Sequence, residues 1–500
     1  MAEAGARTAS GTGSPGERLL YGFLRLFADI RPGEAPKALL LALNVFLLLV
    51  AYYILKPLRE ALLLVDKNSA VVKSCLGGAQ AVLFIFVIKA FSRLASKVPR
   101  HVLITWTTLF FISNIVIFYG LSFCRIPVKT MGIAFFVWIG IFNYFVIAQF
   151  WGFANDLYSD EQGKRTFPLI AFGATLGGVV GTLPVVIKLR DLLGGRWEFK
   201  LMLIAGTVLL ICIGLARYIH RRDVRRTLDD REKGLAGSEE KARAQAQPLK
   251  AGGGFRLVFK SRYLLFIALL IGLYNFVNAT GEYVISAVTV NTELSKTASR
   301  PMTAALPGAA SPAGDSARGA PVPQENAPGA AMEKSIHRAF MNYQLLTNLV
   351  ALIIQLFLVS RIFKWVGVGG ALFFLPLIAL GGYALISFGA VLVLVRWVKS
   401  LENGTDYSLQ NTTKAALFLV TPREEKYKAK AAIDTFFVRG GDTVSALAVL
   451  AGTQLLGLKI ERYAMLNVVV VLVLIALCFK IVGEYKRRKA AADGNPAPAA

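Results

Sequence analysis

Residues 44–60 read NVFLLLVAYYILKPLRE, an apolar run that ends in three charged side chains before the apolar pattern resumes with ALLLV. Charges inside an apolar span are costly unless they face protein or a water-filled cavity, so they indicate a functional site. The alternative is that Lys56, Arg59 and Glu60 lie at a helix end and extend to the membrane interface. Pro57 lacks a backbone donor and is predicted to open the helix here.

The whole chain has the composition of a membrane protein. Of its 500 residues, 55% are hydrophobic and 17% are charged, and the mean hydropathy is +0.55. Soluble domains are less apolar and more charged. Many segments reach the roughly 20 apolar residues that a spanning helix requires. We therefore predict an all-α polytopic membrane protein with about twelve transmembrane helices.

The net charge of +25 is a second feature that needs an explanation. In a soluble protein it would suggest nucleic acid, but here Lys and Arg concentrate between the apolar spans, as in cytoplasmic loops. We therefore expect the lipid bilayer as a partner and no nucleic acid. An even number of spans puts both termini on the same side, and the basic connectors on that side identify it as the cytoplasm. The expected location is the bacterial inner membrane.

The sequence carries no signature of catalysis or of metal binding. Its four cysteines are scattered without a C-x-x-C, and its three histidines have no ligand spacing. P-loop and nucleophile motifs are absent as well. We expect no cofactor, no metal and no enzymatic activity, so the work of this protein is binding and translocation.

A long basic linker divides the chain into two parts. We predict a cytoplasmic N-terminal segment at 1–36, a six-helix half at 37–220, the basic linker at 221–259, a second six-helix half at 260–485 and a cytoplasmic tail at 486–500. Residues 292–338 are rich in Ala, Pro and Gly and are predicted to form a flexible external insert. Two such halves indicate a major-facilitator-like arrangement, with the substrate site between them.

Two later spans also carry polar side chains. The seventh, with LYNFVNATGEYVIS, contains Asn275 and Glu282, and the tenth contains Lys414 among several other charges. Such stripes line a cavity, or they are interhelical hydrogen bonds that aid packing. Arg and Lys in a dehydrated cavity suit a phosphorylated anion. Three roles are open for Glu60 and Glu282: they hold the basic groups when the site is empty, they accept a hydrogen bond from a base or sugar, or they carry a proton.

Gly173, Gly177 and Gly181 follow small-xxx-small spacing in the fifth span. Small residues at this spacing let two membrane helices approach closely. We interpret these glycines as packing residues rather than as part of a site.

Three segments carry a family resemblance. They are LKPLREALLL, FWGFANDLYSDEQGKRTFPLIAFGATLGG and DYSLQNTTKAALFLVTPREEKYKAKAAID. In them the chain resembles the ATP:ADP antiporter family, the nucleotide transporters of plastids and intracellular bacteria, over about residues 35–485 without the insert. The resemblance implies a nucleotide-binding transporter that performs ATP/ADP exchange or nucleotide uptake by alternating access.

The resemblance also implies site residues. Arg59 stands at the family's first-span binding lysine, with Lys56 in place of an arginine, and Glu282 stands at the seventh-span acid. Lys414 matches the lysine of the tenth-span motif, and Arg439 is nearest to a later basic residue. The predicted substrate-binding residues are Lys56, Arg59, Glu60, Asn275, Glu282, Tyr407, Lys414 and Arg439. The predicted gate residues are Asn155, Lys164, Lys430 and Asp434.

One departure leaves alternatives open. The family has a functionally important glutamate in the fourth span, whereas FFVWIGIFNYFVIAQ here offers Asn143 and Gln149 as its polar residues. A proton-coupled carrier of another organic or phosphorylated anion is therefore a second hypothesis. A non-transporting membrane scaffold or sensor, acting through the linker or the insert, is a third. The expected substrate is a nucleotide or other phosphorylated anion, and we expect a monomer.

Overall fold

The computed structural model describes residues 34–95, 100–124, 126–158, 160–232, 254–298, 327–422 and 429–492. Regular structure in these ranges is helical throughout. The predictions for most of the N-terminal segment, the middle of the linker, the middle of the insert and the end of the tail lie outside the described residues.

The first part of the sequence forms long helices. They are α1 (Ala35–Leu63), α2 (Ser69–Ala95), α3 (Arg100–Leu121), α4 (Val128–Leu157), α5 (Asp160–Gly181), α6 (Pro184–Leu193) and α7 (Trp197–Glu232). The axis bends by 46° between α5 and α6, so this pair forms one broken span or a re-entrant loop. Pro184 opens α6, where the proline's missing N–H costs nothing because the first turn has no partner for it.

The second part of the sequence contains helices with wider turns. Its α-helices are α8 (Gly254–Lys260), α9 (Arg262–Ala298), α10 (Ala327–Ile353), α11 (Val359–Ala371), α12 (Phe374–Phe388), α13 (Leu392–Thr405), α14 (Asn411–Leu417), α15 (Lys430–Ala432), α16 (Val438–Gln454) and α17 (Ile460–Ala492). Three π-helical segments join consecutive α-helices: π1 (Ile354–Leu358), π2 (Asp406–Gln410) and π3 (Ile433–Phe437). Such segments are rare and often occur at functional sites.

The described helices have the length and composition of membrane spans. Seven helical runs are long and apolar enough to cross a bilayer, or eight if the bent α5–α6 pair counts as one span. Shorter apolar helices also occur, at Ser69–Phe84 and Phe374–Phe388. Large apolar side chains such as Phe86 and Trp106 are exposed, as expected where a helix faces lipid tails. The prediction of an all-α polytopic membrane protein is confirmed.

Two details of the first spans differ from the sequence prediction. α1 runs through Pro57 without a break, since neighbouring groups in a packed membrane helix can satisfy the carbonyl that proline leaves without a donor. The apolar pattern predicts that the second span begins near residue 76, but α2 begins at Ser69. It includes Lys73, whose charge is compensated by ion pairs inside the protein.

The predicted insert at 292–338 is too long at both ends. α9 continues to Ala298 and α10 begins at Ala327. The segments NTELSKTA and MEKSIHRAF contain no proline and are good helix formers, so the helices extend into them. The Pro-rich residues 299–326 lie outside the described residues.

The chain groups into two compact units. Unit 1 comprises Met1–Leu55, Phe91–Phe123 and Ile141–Pro248, and unit 2 comprises Lys56–Ala90, Cys124–Gly140 and Leu249–Ala500. This grouping does not follow the predicted halves 37–220 and 260–485. Parts of α1, α2 and α4 pack with the second half of the sequence, as the hydrogen bond from Lys73 to Ser286 illustrates.

Unit 1 is built on a close approach of α1 and α5. A Cβ atom at Gly173 would come within 2.6 Å of the Ala42 carbonyl oxygen, and one at Gly177 would collide with the Phe46 carbonyl. The predicted packing role of these glycines is therefore confirmed. The Asn44 side chain joins α1 to α7 by donating to the Cys212 carbonyl at 2.9 Å.

Unit 2 is built around α9. This helix packs against α16 and α17, and it also contacts α10 and α13. Its apolar core includes a contact between the rings of Tyr283 and Tyr463, whose centroids are 5.0 Å apart. The polar face of the same helix carries Asn278 and Glu282, and this face forms one wall of the site described next.

Candidate functional site

A group of charged side chains lies inside unit 2 on helices that are otherwise apolar. We call it the charge cluster, and its members are Lys56, Arg59, Glu60, Lys73, Glu282, Lys399, Glu402, Asp406, Lys414, Arg439 and Asp442. Removing such groups from water is costly unless each finds a partner of opposite charge. The contacts below show how they are paired.

Lys73 lies where four helices meet. Its Nζ atom is 2.8 Å from Glu60 Oε2 and 3.6 Å from Glu282 Oε2. It also donates to Ser286 Oγ at 2.8 Å and lies 5.2 Å from the centre of the Phe340 ring. The side chain is only 7% exposed. One ammonium group therefore ties α2 to α1, α9 and α10.

Glu60 is shared by two cations. Its Oε1 atom accepts from Arg59 Nε at 3.0 Å and also pairs with the terminal nitrogen of that guanidinium. Its Oε2 atom faces Lys73. The Arg59 guanidinium lies 4.7 Å from the centre of the Phe136 ring on α4, a favourable cation–π contact. Glu60 is thus paired with two cations at once.

Glu282, on α9, contacts side chains of α2, α10 and α13. Its Oε1 atom accepts from the Tyr343 hydroxyl at 2.8 Å and from Asn403 Nδ2 at 3.1 Å. Asn403 Nδ2 also donates to the Tyr343 hydroxyl oxygen at 2.6 Å. Because Oε2 faces Lys73, the carboxylate is held from both sides by α2, α10 and α13.

Lys56 and Arg59 are one helical turn apart but have different neighbours. Lys56 Nζ donates to Gln344 Oε1 on α10 at 3.1 Å. It also lies 6.0 Å from the ring centre of Tyr407, which belongs to π2 and is partly exposed. The amide is neutral, so it does not cancel the charge of Lys56.

Lys399 and Glu402 form a buried ion pair on α13. Their charged atoms are 3.0 Å apart, and the lysine is fully buried. Lys399 also donates to Asn278 Oδ1 at 2.9 Å, and the Tyr383 hydroxyl donates to Glu402 Oε2 at 2.7 Å. The pair therefore joins α13 to α9 and α12 through hydrogen bonds at both charges.

Lys414 and Asp406 form an ion pair of 2.9 Å across the π2 segment. Residues eight apart on a regular α-helix are offset by about 80°, and the wider π turn reduces this offset. The pair opens onto a cavity lined by Tyr274, Asn275, Val277, Asn278, Leu375, Ala379, Glu402, Asn403, Asp406, Lys414 and Leu474. Asn275 Nδ2 donates to the Ile271 carbonyl of its own helix at 2.8 Å.

Arg439 completes the cluster on α16. It lies 3.3 Å from Asp442 and 4.3 Å from the ring centre of Phe84 on α2. Both charged side chains are about one-quarter exposed, so water still reaches this pair.

The four predicted gate residues are divided between the two units. Asn155 is exposed on α4 in unit 1, whereas Lys430 and Asp434 belong to unit 2. Lys430 Nζ lies 5.8 Å from the ring centre of Phe418. The Lys164 side chain lies outside the described residues. The gate stays a prediction.

Sequence reasoning missed Lys73 of the charge cluster, and also Tyr343 and Asn403, which hydrogen-bond to its member Glu282. The segment VVKSCLGG precedes most of the apolar run that indicates the second span, so sequence reasoning did not consider its lysine. Tyr343 and Asn403 act by hydrogen bonds to Glu282, which lies 61 and 121 residues away. No local pattern predicts such contacts.

The arrangement suits the exchange of one anion for another. Five cations of the cluster face carboxylates, and Lys56 faces an amide. A bound polyanion can replace a carboxylate as the partner of a cation, so that the cation keeps a partner of opposite charge in a dry environment. The polar cavity beside Lys414 offers amide and carboxylate groups that can hydrogen-bond the uncharged part of such a ligand.

Comparison with known proteins gives a family match over part of the chain. The family described as TLC ATP/ADP transporter matches residues 133–286. ADP,ATP carrier protein 1 of Chlamydia trachomatis is 26% identical over 326 residues, which is 60% of this chain and 54% of the relative. The protein of the same name in Chlamydia muridarum matches to the same extent over 325 residues. The chain spans about half the length of these curated relatives.

Solved structures give a match over most of the fold. The nucleoside transporter NupG superimposes with a TM-score of 0.53 at 12% identity, covering 90% of this chain and 99% of that one. A POT family transporter superimposes with a TM-score of 0.53 at 11% identity, covering 92% and 99%. Identities this low speak for the fold alone, and that fold is major-facilitator-like, as predicted.

Proposed function

We infer from these matches that the chain is a divergent member of the nucleotide transporter family, and we propose that it carries nucleotides across a membrane by alternating access. The family match covers residues 133–286, and two relatives that resemble the chain are named as ADP,ATP carriers. The helical fold resembles that of major-facilitator transporters, in which the substrate site lies near the membrane midplane.

The observation that carries this proposal is the charge cluster. Basic side chains inside apolar helices are rare and mark substrate pathways. Arg59 offers the forked geometry that suits phosphate, and Lys56 and Lys414 offer point charges. We assign these three to the phosphates, with Arg439 as a further contact.

The acidic and polar members have complementary roles in this proposal. Glu60 and Glu282 pair with the cations when no substrate is bound. Asn275, in the cavity beside Lys414, supplies a hydrogen-bonding group for the base or the ribose. Tyr407 supplies an aromatic face near Lys56.

Reconstitution into proteoliposomes tests the function. We expect labelled ATP to accumulate, and Arg59→Ala to abolish uptake while the protein still inserts into the membrane. Lys129→Gln is the matched control, because Lys129 pairs at 2.6 Å with Asp66, which lies on the segment that connects α1 and α2. Equal uptake by Arg59→Ala and the parent protein would contradict the assignment, and no uptake of any nucleotide by the parent would contradict the function.

The same vesicles separate exchange from proton coupling. Preloading with ADP should accelerate ATP uptake if the protein is an antiporter. Acceleration by an imposed pH gradient in empty vesicles identifies a proton-coupled carrier instead. Competition by unrelated organic anions, with no effect of ATP, would point to another substrate.

The orientation is also part of the proposal. We place both termini in the cytoplasm of a bacterium, with the protein acting as a monomer in the inner membrane, because Lys and Arg concentrate in the connectors on the side of the termini. Reporter fusions at both ends test this. Activity of an external reporter at either end would reverse the orientation.

A further inference from the structure

Lys73 belongs to a row of alternating charges. The row runs from Arg59 to Glu60, from Glu60 to Lys73 at 2.8 Å and from Lys73 to Glu282 at 3.6 Å. We call these four residues the ion-pair row. Each of its two inner members, Glu60 and Lys73, has its charge divided between two partners.

A phosphate bound to Arg59 changes this division. Glu60 is only 3% exposed, so its charge needs a cation when Arg59 turns to another anion. Lys73 is in position to supply that charge at a normal ion-pair distance. When Lys73 moves closer to Glu60, its longer contact with Glu282 weakens. Glu282 tolerates this loss because it is 27% exposed and keeps its hydrogen bonds from Tyr343 and Asn403.

We propose that Lys73 relays phosphate binding at Arg59 to the junction between α2 and α9. A bound polyphosphate draws Lys73 towards Glu60 and loosens it from Glu282 and Ser286. The inference rests on the proposed transport function and gives that function a control step, because opening at this junction then depends on the substrate. Lys73 is a positioning residue in this scheme and does not touch the substrate.

The face of α9 at this junction provides a reporter. Glu282, Ser286, Thr289 and Glu293 recur at helical spacing and therefore lie on one face. Ser286 is fully buried, and Thr289 is only 2% exposed. Loosening of Lys73 should make this face accessible, so a cysteine introduced by Thr289→Cys should react faster with a maleimide.

The native cysteines make the experiment specific. Cys75 and Cys124 are partly or fully exposed and are replaced by serine. Cys212 and Cys478 are buried and are kept, since their reaction would report unfolding. The Thr289→Cys protein in this background is purified in detergent, and labelling is followed with and without inorganic tripolyphosphate.

We expect tripolyphosphate to accelerate labelling by about tenfold, the change in equilibrium constant that about 1.4 kcal/mol produces. Lys73→Gln should make the rate independent of tripolyphosphate. Lys73→Arg and the control Lys129→Gln should keep the acceleration, because both leave a cation at position 73. If reaction of Cys478 shows that Lys73→Gln unfolds, Glu60→Gln replaces it, since that change cuts the row at its other inner member and should also abolish the acceleration.

The outcomes separate the relay from the function. The relay is overturned if tripolyphosphate does not accelerate labelling of the parent, or if the folded Lys73→Gln or Glu60→Gln protein shows the parent's acceleration. Either result leaves nucleotide transport intact when vesicles accumulate ATP. Conversely, tripolyphosphate-dependent labelling that requires Lys73, in a protein that moves no nucleotide, supports the relay and contradicts the transport proposal.

Discussion

Lys399→Met removes one half of the most deeply buried ion pair described in unit 2. Lys399 is fully buried, and its Nζ atom lies 3.0 Å from Glu402 Oε2. At that distance and an effective dielectric constant of 20, the attraction between two unit charges is about 5 kcal/mol. Part of this is offset by desolvation, and removal of one partner from such pairs costs about 3–5 kcal/mol. We expect that loss in the free energy of unfolding.

The double variant Lys399→Met with Glu402→Gln should be more stable than the single variant Lys399→Met. It removes both charges, and the glutamine can still accept from the Tyr383 hydroxyl, which now donates to Glu402 at 2.7 Å. The remaining loss is the hydrogen bond to Asn278, worth about 1 kcal/mol, or up to about 3 if its oxygen is left without a donor. We therefore expect the double variant to lie about 1–3 kcal/mol below the parent.

Unfolding in mixed detergent micelles, followed by tryptophan fluorescence, measures these differences. The two single variants and the double variant form a complete cycle, so the coupling between the two charges is obtained directly. A loss below about 1 kcal/mol for Lys399→Met would refute the argument, since burial then carries no electrostatic cost. A double variant that loses the sum of the two single effects would refute it as well.

Three further results are expected. Gly177→Val should destabilise the protein by about 1–3 kcal/mol through overpacking, whereas Gly214→Ala, with open space around its Cβ position, should cost nothing; thermal midpoints in detergent compare the two. Partial burial raises the pKa of Asp66, but the hydrogen bond from Lys129 and other contacts hold this pKa below its usual value. The stabilisation by Asp66 is therefore complete above the usual carboxyl pKa and lost as the pH falls through the lowered pKa, and Asp66→Asn should remove this pH dependence from the thermal midpoint. Deletion of residues 300–325 should leave uptake unchanged, because their composition cannot form a packed core, whereas loss of uptake with intact folding would favour the scaffold or sensor hypothesis.

The membrane fold was predictable because its signals are local. Runs of about 20 apolar residues identify spans without any knowledge of their neighbours. The spacing of Gly173, Gly177 and Gly181 is also local, and it identified a close helix contact. Likewise, polar residues within apolar spans led to Glu282 and Lys414, which the structure places in one cluster.

The missed features depend on distant partners. Lys73 is an internal residue only because carboxylates on α1 and α9 lie beside it, and its own segment gives no sign of these partners. Pro57 was expected to open α1, but packing keeps the helix continuous. The compact units separate parts of α1, α2 and α4 from their predicted half because contacts, rather than chain order, define them.

The π2 segment sets the rotational phase between the two parts of the tenth span. Each residue added to or removed from a helix turns everything beyond it by about 100°. Loss of a single residue between Asp406 and Gln410 would leave Lys414 seven positions beyond Asp406, an offset of only about 20° on a regular α-helix. The wide turn thus accommodates one extra residue without changing the face on which the charges of this span lie, and a one-residue deletion here should preserve the pairing of Lys414 with Asp406.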